Sequence, residues 1–159
     1  MQIKRRYINQ AVDFLTFLYG ISTKESIKRF QFIKLLQDEA EATTKQYEKI
    51  GDDHAVKDEK GKPKTNPVNG NYLFRPDVEI TGPEAVKDLL DDEAEIDEKI
   101  HKVKLEIIRK AVFNFDHKWK EGQHQLAHTH SLLYDLLDCE ALEEEPPKKK
   151  AKKKKKDEE

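Results

Sequence analysis

The chain has 159 residues, which is enough for one domain and too few for two independent hydrophobic cores. Its composition, 36% hydrophobic and 39% charged, fits a helical protein with a thin core. The formal net charge of −2 combines −7 in residues 1–145 with +5 in residues 146–159. This division excludes a uniformly basic folded surface and confines nucleic-acid binding to the C-terminal tail and to local patches.

The cysteine count and the hydropathy of the chain indicate the cellular compartment in which the protein is expected. Cys139 is the only cysteine, so no intramolecular disulfide can form and a reducing compartment is the simpler assumption. No apolar run approaches the length that crosses a bilayer, and residues 1–10 lack the apolar region of a signal peptide. The sequence therefore predicts a cytoplasmic protein with no membrane partner.

Two helices are predicted in the first fifty residues. Residues 7–19 carry an apolar stripe at helical spacing, and Gly20 ends the run. Ser22 and Glu25 have the spacing of a capping box, and Gly51 is the residue that can take positive φ after a helix over 22–50. The short connection predicts an αα-hairpin. The predicted buried stripe of the second helix consists of Ile27, Phe30, Ile33, Leu36, Ala40, Thr43, Tyr47 and Ile50.

Residues 51–82 lose the helical period and contain four glycines and three prolines. Val56 and residues 72–74 can pair as a two-stranded ribbon, with turns at 59–61 and at Asn69-Gly70, provided that the ribbon packs on a helix. The sequence therefore predicts a small irregular or β-ribbon insertion at about 51–82.

The second half of the chain returns to helical spacing. Thr81 and Glu84 repeat the capping-box spacing, with Pro83 in the first turn. Residues 84–116 form either one helix or two, and a last helix runs from about 123 to 143. The predicted buried positions are Val86, Leu89, Leu90 and Ala94, then Ile96, Ile100, Val103, Ile107, Ala111, Val112 and Phe115, and finally Leu126, Ala127, Leu133, Leu137 and Ala141.

Pro146 and Pro147 stop any helix, and the residues beyond them include no apolar side chain larger than alanine. The predicted organisation is a single, mainly α domain over 1–145, a four- to five-helix bundle built on an αα-hairpin, followed by a disordered lysine-rich tail over 146–159.

Four histidines, His117, His124, His128 and His130, fall within one short stretch, and His124 and His128 lie one helical turn apart. A zinc site usually needs three or four ligands, and no HExxH glutamate or CxxC pair accompanies them. A solvated helix face is therefore the preferred interpretation, and neither a metal site nor a cofactor is predicted.

Other polar features also favour a structural interpretation over catalysis. The acids between 91 and 98 are typical of a charged helix surface, although they could hold a cation or mimic nucleic-acid phosphates. Cys139 lies among acids that raise a thiol pKa, and no base is adjacent to it in sequence. No glycine-rich loop follows a strand to bind phosphate. The sequence predicts that the protein is not an enzyme.

Five segments follow one another along the chain: the short first helix, Phe32-Ile33-Lys34-Leu35-Leu36-Gln37, the polar turn over 57–63, an acidic helix, and Tyr134-Asp135-Leu136-Leu137-Asp138. Together they resemble small helical proteins of unknown function encoded by phages and prophages of Gram-positive bacteria. The likeness covers about residues 3–142. It implies a bacterial host cytoplasm or a virion-associated setting, and it implies no established activity.

The leading functional hypothesis is a non-enzymatic phage-type accessory or effector protein that acts through protein contacts, in virion assembly or by inhibiting a host protein. Highly charged faces favour electrostatic complementarity with a partner. Tyr72, Phe74 and Arg75 are the predicted partner-binding residues, because tyrosine and arginine are enriched in binding hot spots and Phe74 adds an aromatic contact beside them. Helices as amphipathic as these can also form a homodimer.

The alternative hypothesis is a nucleic-acid-associated protein that uses the basic tail for weak, nonspecific binding. No aromatic residue lies among the lysines, so base stacking is not expected. A lipid surface, an acidic partner or the acidic body itself are other anionic targets. The tail lysines are Lys148, Lys149, Lys150, Lys152, Lys153, Lys154, Lys155 and Lys156.

Deletion of residues 146–159 tests this alternative. If the tail binds DNA or RNA, the full chain shifts a nucleic-acid probe at low salt, the shift weakens steeply as salt rises, and the deletion abolishes it. Electrophoretic mobility measures this binding. An unchanged shift after deletion would show that the tail is not the binding element.

Overall fold

The computed structural model describes residues 1–19 and 22–142 and confirms a mainly helical fold with a small β component. The helices are α1 (Ile8–Phe17), α2 (Thr23–His54), α3 (Thr81–Asp91), α4 (Glu98–Phe113) and α5 (His124–Leu136). Two short strands, β1 (Gln2–Lys4) and β2 (Glu93–Glu95), and 3-10 turns at Arg5–Tyr7, Pro76–Val78 and Cys139–Leu142 complete the described elements. Within the described residues, no helix combines the length and apolar character needed to span a bilayer.

The start of α2 is fixed by the predicted capping box. The Ser22 hydroxyl accepts a hydrogen bond from the Glu25 amide at 3.4 Å, and the Ser22 amide donates to the Glu25 carboxylate at 3.2 Å. The predicted end of this helix is wrong. Gly51 is a buried residue inside α2, which continues to His54.

Only part of the predicted stripe of α2 is buried: Ile33, Leu36 and Thr43 are buried as predicted. Ile27 is 55% exposed and Phe30 is 57% exposed, whereas Phe32 is fully buried. Apolar residues occupy more than one face of this part of α2, and α1 and α4 pack on the face that contains Phe32. Arg29 is buried as well; its guanidinium donates to the Leu18 carbonyl at the end of α1 and lies 5.0 Å over the Phe30 ring.

The main hydrophobic core forms where α1 packs against α2 and α5, which confirms the predicted helical hairpin as its base. Helix α4 closes the core by packing against both α2 and α5. The largest fully buried side chains are Ile3, Ile8, Phe14, Leu15, Phe32, Leu36, Ile108, Val112, Thr129, Leu133 and Cys139. Burial of the apolar side chains among them is the dominant favourable contribution to folding.

Residues 84–116 form two helices, separated by a strand that was not predicted. In β2, Ala94 pairs with Ile3 of β1 in an antiparallel register, and both side chains are buried. Asp97 then begins α4, since its carboxylate accepts the amides of Lys99 and Ile100 at 2.8 and 3.0 Å. The capping box predicted at Thr81 is wrong, because α3 begins without a side-chain hydrogen bond at its N-cap.

Helix α4 buries only part of the predicted stripe. Val112 is buried as predicted, but Ile100 and Val103 are 73% and 60% exposed. Leu105 and Ile108, which were not in the predicted stripe, face the core instead. Helix α5 is shorter than predicted and ends at Leu136. The chain then turns through Asp138 at a φ of 51° into the last 3-10 turn.

The two predicted capping boxes provide a matched test of local stability. Ser22→Ala removes an observed cap and should lower the free energy of unfolding by about 1 kcal/mol. Thr81→Ala removes no cap bond, so the free energy of unfolding should stay the same or rise slightly. Urea denaturation of both variants measures the difference; an equal loss of stability in both would contradict the assignment of the caps.

Candidate protein-binding groove

Residues 55–75, called the ribbon below, leave the end of α2 as three short extended segments that pair in a closed ring. Val56 donates its amide to the Leu73 carbonyl at 2.7 Å, and Leu73 donates to Lys64 at 2.9 Å. Lys64 completes the ring by donating to the Val56 carbonyl at 2.8 Å. The pairing of the first and third segments agrees with the predicted ribbon, whereas the middle segment was not predicted.

Two tight turns connect the segments of the ribbon. In the first, the Asp58 carboxylate accepts the backbone amides of Lys62 and Lys60, both at 2.8 Å, and these bonds hold the pKa of Asp58 below its usual value. In the second, the Asn66 side chain accepts the Val68 amide at 2.8 Å. Gly61 and Gly70 take the positive φ angles, 75° and 72°, that these turns require.

Tyr72 attaches the ribbon to α2. Its ring lies directly on the backbone of Gly51, where the Cβ of any other residue would overlap the ring. The same ring stacks on Tyr47 one helical turn earlier, with ring centroids 4.7 Å apart. Burial raises the pKa of the Tyr72 hydroxyl. Gly51 is therefore required for the close approach of the ribbon.

Phe74 attaches the ribbon to α3 in the same manner. Its ring lies on the backbone of Gly82, and a Cβ at that position would also overlap the ring. Arg75 is engaged at the end of α2, where its amide donates to the His54 carbonyl and its guanidinium to the Asp53 carbonyl, both at 3.1 Å. A cationic side chain at a helix C-terminus is favoured by the helix dipole.

A groove of about 620 Å³ lies between α2, the ribbon and α3. Tyr47, Tyr72 and Phe74 form its aromatic wall, and Val86 and Leu90 of α3 form part of the apolar surface opposite. The remaining lining residues are Arg6, Asn66, Asn69, Asn71, Leu73, Pro83 and Lys87. An apolar lining with a few polar groups is typical of a binding site.

The charged side chains that line the groove are both cationic. Arg6 forms an ion pair with Asp91, which lies outside the lining. Lys87 is exposed on α3. Together with the asparagine amides, these groups favour a ligand that combines apolar and acidic or hydrogen-bonding groups.

Of the three predicted partner-binding residues, Tyr72 and Phe74 line the groove and Arg75 does not, and each has a contact within the chain. Tyr72 and Phe74 are half-buried against Gly51 and Gly82, and Arg75 binds the end of α2. Leu73, between the two aromatic residues, is the more accessible side chain at 41% exposure. Sequence reasoning missed Leu73, and also missed Tyr47, Asn66, Asn69, Asn71 and Lys87 as groove residues.

His117, His128 and His130 contribute to aromatic packing, whereas His124 is exposed. His117 bridges two segments, with Nδ1 3.1 Å from the Tyr19 hydroxyl and Nε2 3.3 Å from the Gln123 side-chain oxygen. The His130 ring stacks on Phe14 and donates from Nε2 to a backbone carbonyl of α4. Within residues 1–19 and 22–142, no three His, Cys, Asp or Glu side chains are arranged to hold a metal ion.

The other polar candidates are likewise engaged inside the chain. Asp92 forms an ion pair with Arg5 at 3.1 Å, and Asp97 caps α4. Burial raises the pKa of the Cys139 thiol to about 11, and its sulfur lies 3.6 Å from the Arg109 carbonyl. The thiol is therefore protonated at neutral pH and is a poor nucleophile. The lysines at 148–150 and 152–156 lie outside the described residues.

The chain matches no protein-family model, and no curated protein or solved structure matches it. The resemblance to small phage proteins consequently stays a prediction.

A double-mutant cycle tests the contact that fixes the aromatic wall. Gly51→Ala places a methyl group against the Tyr72 ring and should lower the free energy of unfolding by roughly 1–3 kcal/mol. In a Tyr72→Ala background the same change should raise it by about 1 kcal/mol, because alanine favours a helix. Urea denaturation of the four proteins measures the cycle. Stabilisation by Gly51→Ala in the wild-type background would show that the ring does not occupy this site.

Proposed function

We propose that this protein is a non-enzymatic accessory or effector protein that holds a short segment of a protein partner in the groove between α2, the ribbon and α3. One observation carries the proposal. Tyr72 and Phe74 lie on glycine backbones and fix the wall of the groove, while Leu73 remains accessible beside them. A preformed apolar groove binds with a smaller entropic cost than a surface that must first become ordered.

The charges of the groove define the class of partner segment. Lys87 favours carboxylates, and the aromatic and aliphatic walls favour apolar side chains. The asparagine side chains offer both donors and acceptors to a peptide backbone. The ligand is therefore a peptide segment that carries acidic and apolar residues.

The proposed biological setting is that of a phage protein in the cytoplasm of a bacterial host or in a virion. This part of the proposal rests on the resemblance of residues 3–142 to small phage and prophage proteins. The partner is then a phage structural protein or a host protein that is inhibited by the contact. Nucleic-acid binding through the tail is the alternative, and its support is the +5 charge of residues 146–159.

Paired charge variants test the groove. Leu73→Glu/Lys87→Glu should abolish capture of a specific partner from a lysate of a Gram-positive host. The glutamate at position 87 would repel acidic residues of the partner, and the glutamate at position 73 would place a charge where an apolar residue of the partner binds. The control Ile27→Glu/Lys24→Glu makes the same change in charge on exposed positions of α2 and should leave capture intact. Affinity capture by the full chain, followed by mass spectrometry, identifies and quantifies the bound protein.

A partner that is retained by the groove variant would contradict the proposed site, as would equal loss in both variants. If capture depends on the groove, a synthetic peptide from the captured partner should compete with the full partner for binding to the wild-type chain. Failure of every partner-derived peptide to compete would contradict recognition of a short segment.

A further inference from the structure

Helix α4 carries apolar residues on two different faces. Leu105, Ile108 and Val112 point into the core. Ile100 and Val103, on the other face, are 73% and 60% exposed within the described part of the chain. Ile107 extends this outer stripe and is half-buried. We call Ile100, Val103 and Ile107 the outer stripe; their spacing of three and then four residues is that of a coiled-coil seam.

Charged residues of opposite sign line both sides of the outer stripe. Lys99 and Glu106 lie on one side, at equivalent positions one heptad apart. Asp97 and Lys104 lie on the other side with the same separation. Asp97 caps α4 through Oδ1 alone, and the Lys104 ammonium lies 3.2 Å from Nδ1 of His101, a contact that uses one of its three N–H groups.

We propose that the outer stripe binds a second copy of this chain, with the two α4 helices antiparallel about a twofold axis. In this arrangement Ile100 packs against Val103 of the second copy. Lys99 then faces the second copy's Glu106 on one side of the seam. Asp97 faces the second copy's Lys104 on the other side, and the symmetry repeats each contact.

The charge pattern selects this arrangement over its alternatives. Parallel helices would place Lys99 against Lys104 of the second copy. An antiparallel pair shifted by one layer, with Val103 opposite Ile107, would place Glu106 against Glu106 and Lys104 against Lys104. Like charges in these positions oppose pairing, so the register centred between Ile100 and Val103 is the complementary one.

This surface is separate from the groove, because no residue of the outer stripe or its flanking charges lines the groove. Self-association therefore neither requires nor excludes the binding of a partner segment. An outer stripe of three apolar residues gives a small interface, and the dimer should form reversibly as concentration rises.

Sedimentation equilibrium of the full chain measures the proposed dimer. The mass should rise with concentration from 18.6 kDa towards twice that value. Ile100→Lys/Val103→Lys should stay monomeric across the same range. The matched control, Ile27→Lys/Phe30→Lys, changes two exposed apolar residues with the same spacing on α2 and should dimerise as the wild type does. Circular dichroism confirms that both variants fold.

A charge exchange tests the register independently of the apolar residues. Lys99→Glu and Glu106→Lys should each weaken the dimer by roughly tenfold, because each creates two like-charge contacts, and the combined variant should restore wild-type dimerisation. A wild-type chain that is monomeric at all concentrations would overturn the proposal. Failure of the combined variant to restore the dimer, or equal dissociation by the α2 control, would overturn it as well.

Discussion

The length of α2 is the constraint on which the rest of this structure depends. A helix of 32 residues is about 48 Å long, which exceeds what one thin core covers. The main core covers its first part, around Phe32 and Leu36. Between residues 41 and 54 only Thr43 and Gly51 are buried. The ribbon and α3 cover this second part, and the groove is the space that remains between them.

Sequence patterns correctly predicted the structural elements that depend on residues close together in the sequence. The helical periods indicated the helices, and the Ser22 cap depends on a residue three positions away, so its spacing was visible in the sequence. The turns of the ribbon could be predicted as well, because their residues also interact with close neighbours in the sequence. Gly51 shows the limit of such rules, because a contact with Tyr72, far away in sequence, outweighs the usual role of glycine at a helix end.

The sequence could not specify which apolar face of a helix is buried when two faces are apolar. In α4, Ile100 and Val103 form as regular a stripe as Leu105 and Ile108, and only the packing of α2 and α5 distinguishes them. The strand around Ala94 is three residues long, too short for a period to be recognised. Tyr72 and Phe74 were placed at the candidate site from their residue types, but the groove also needs α3, whose position against α2 is a tertiary property.

The closed ring of the ribbon limits how a partner can bind to it. Many proteins capture an extended peptide by β-augmentation, in which the peptide adds a strand to an open sheet edge. In the ribbon, the backbone amides and carbonyls of Val56, Lys64 and Leu73 all bond to one another, so this level of the ribbon has no free edge. A partner segment of the kind proposed would contact side chains at this level of the ribbon and would not add a strand to it. Selectivity then depends on the shape and charge of the groove more than on the capacity of the segment to become a strand.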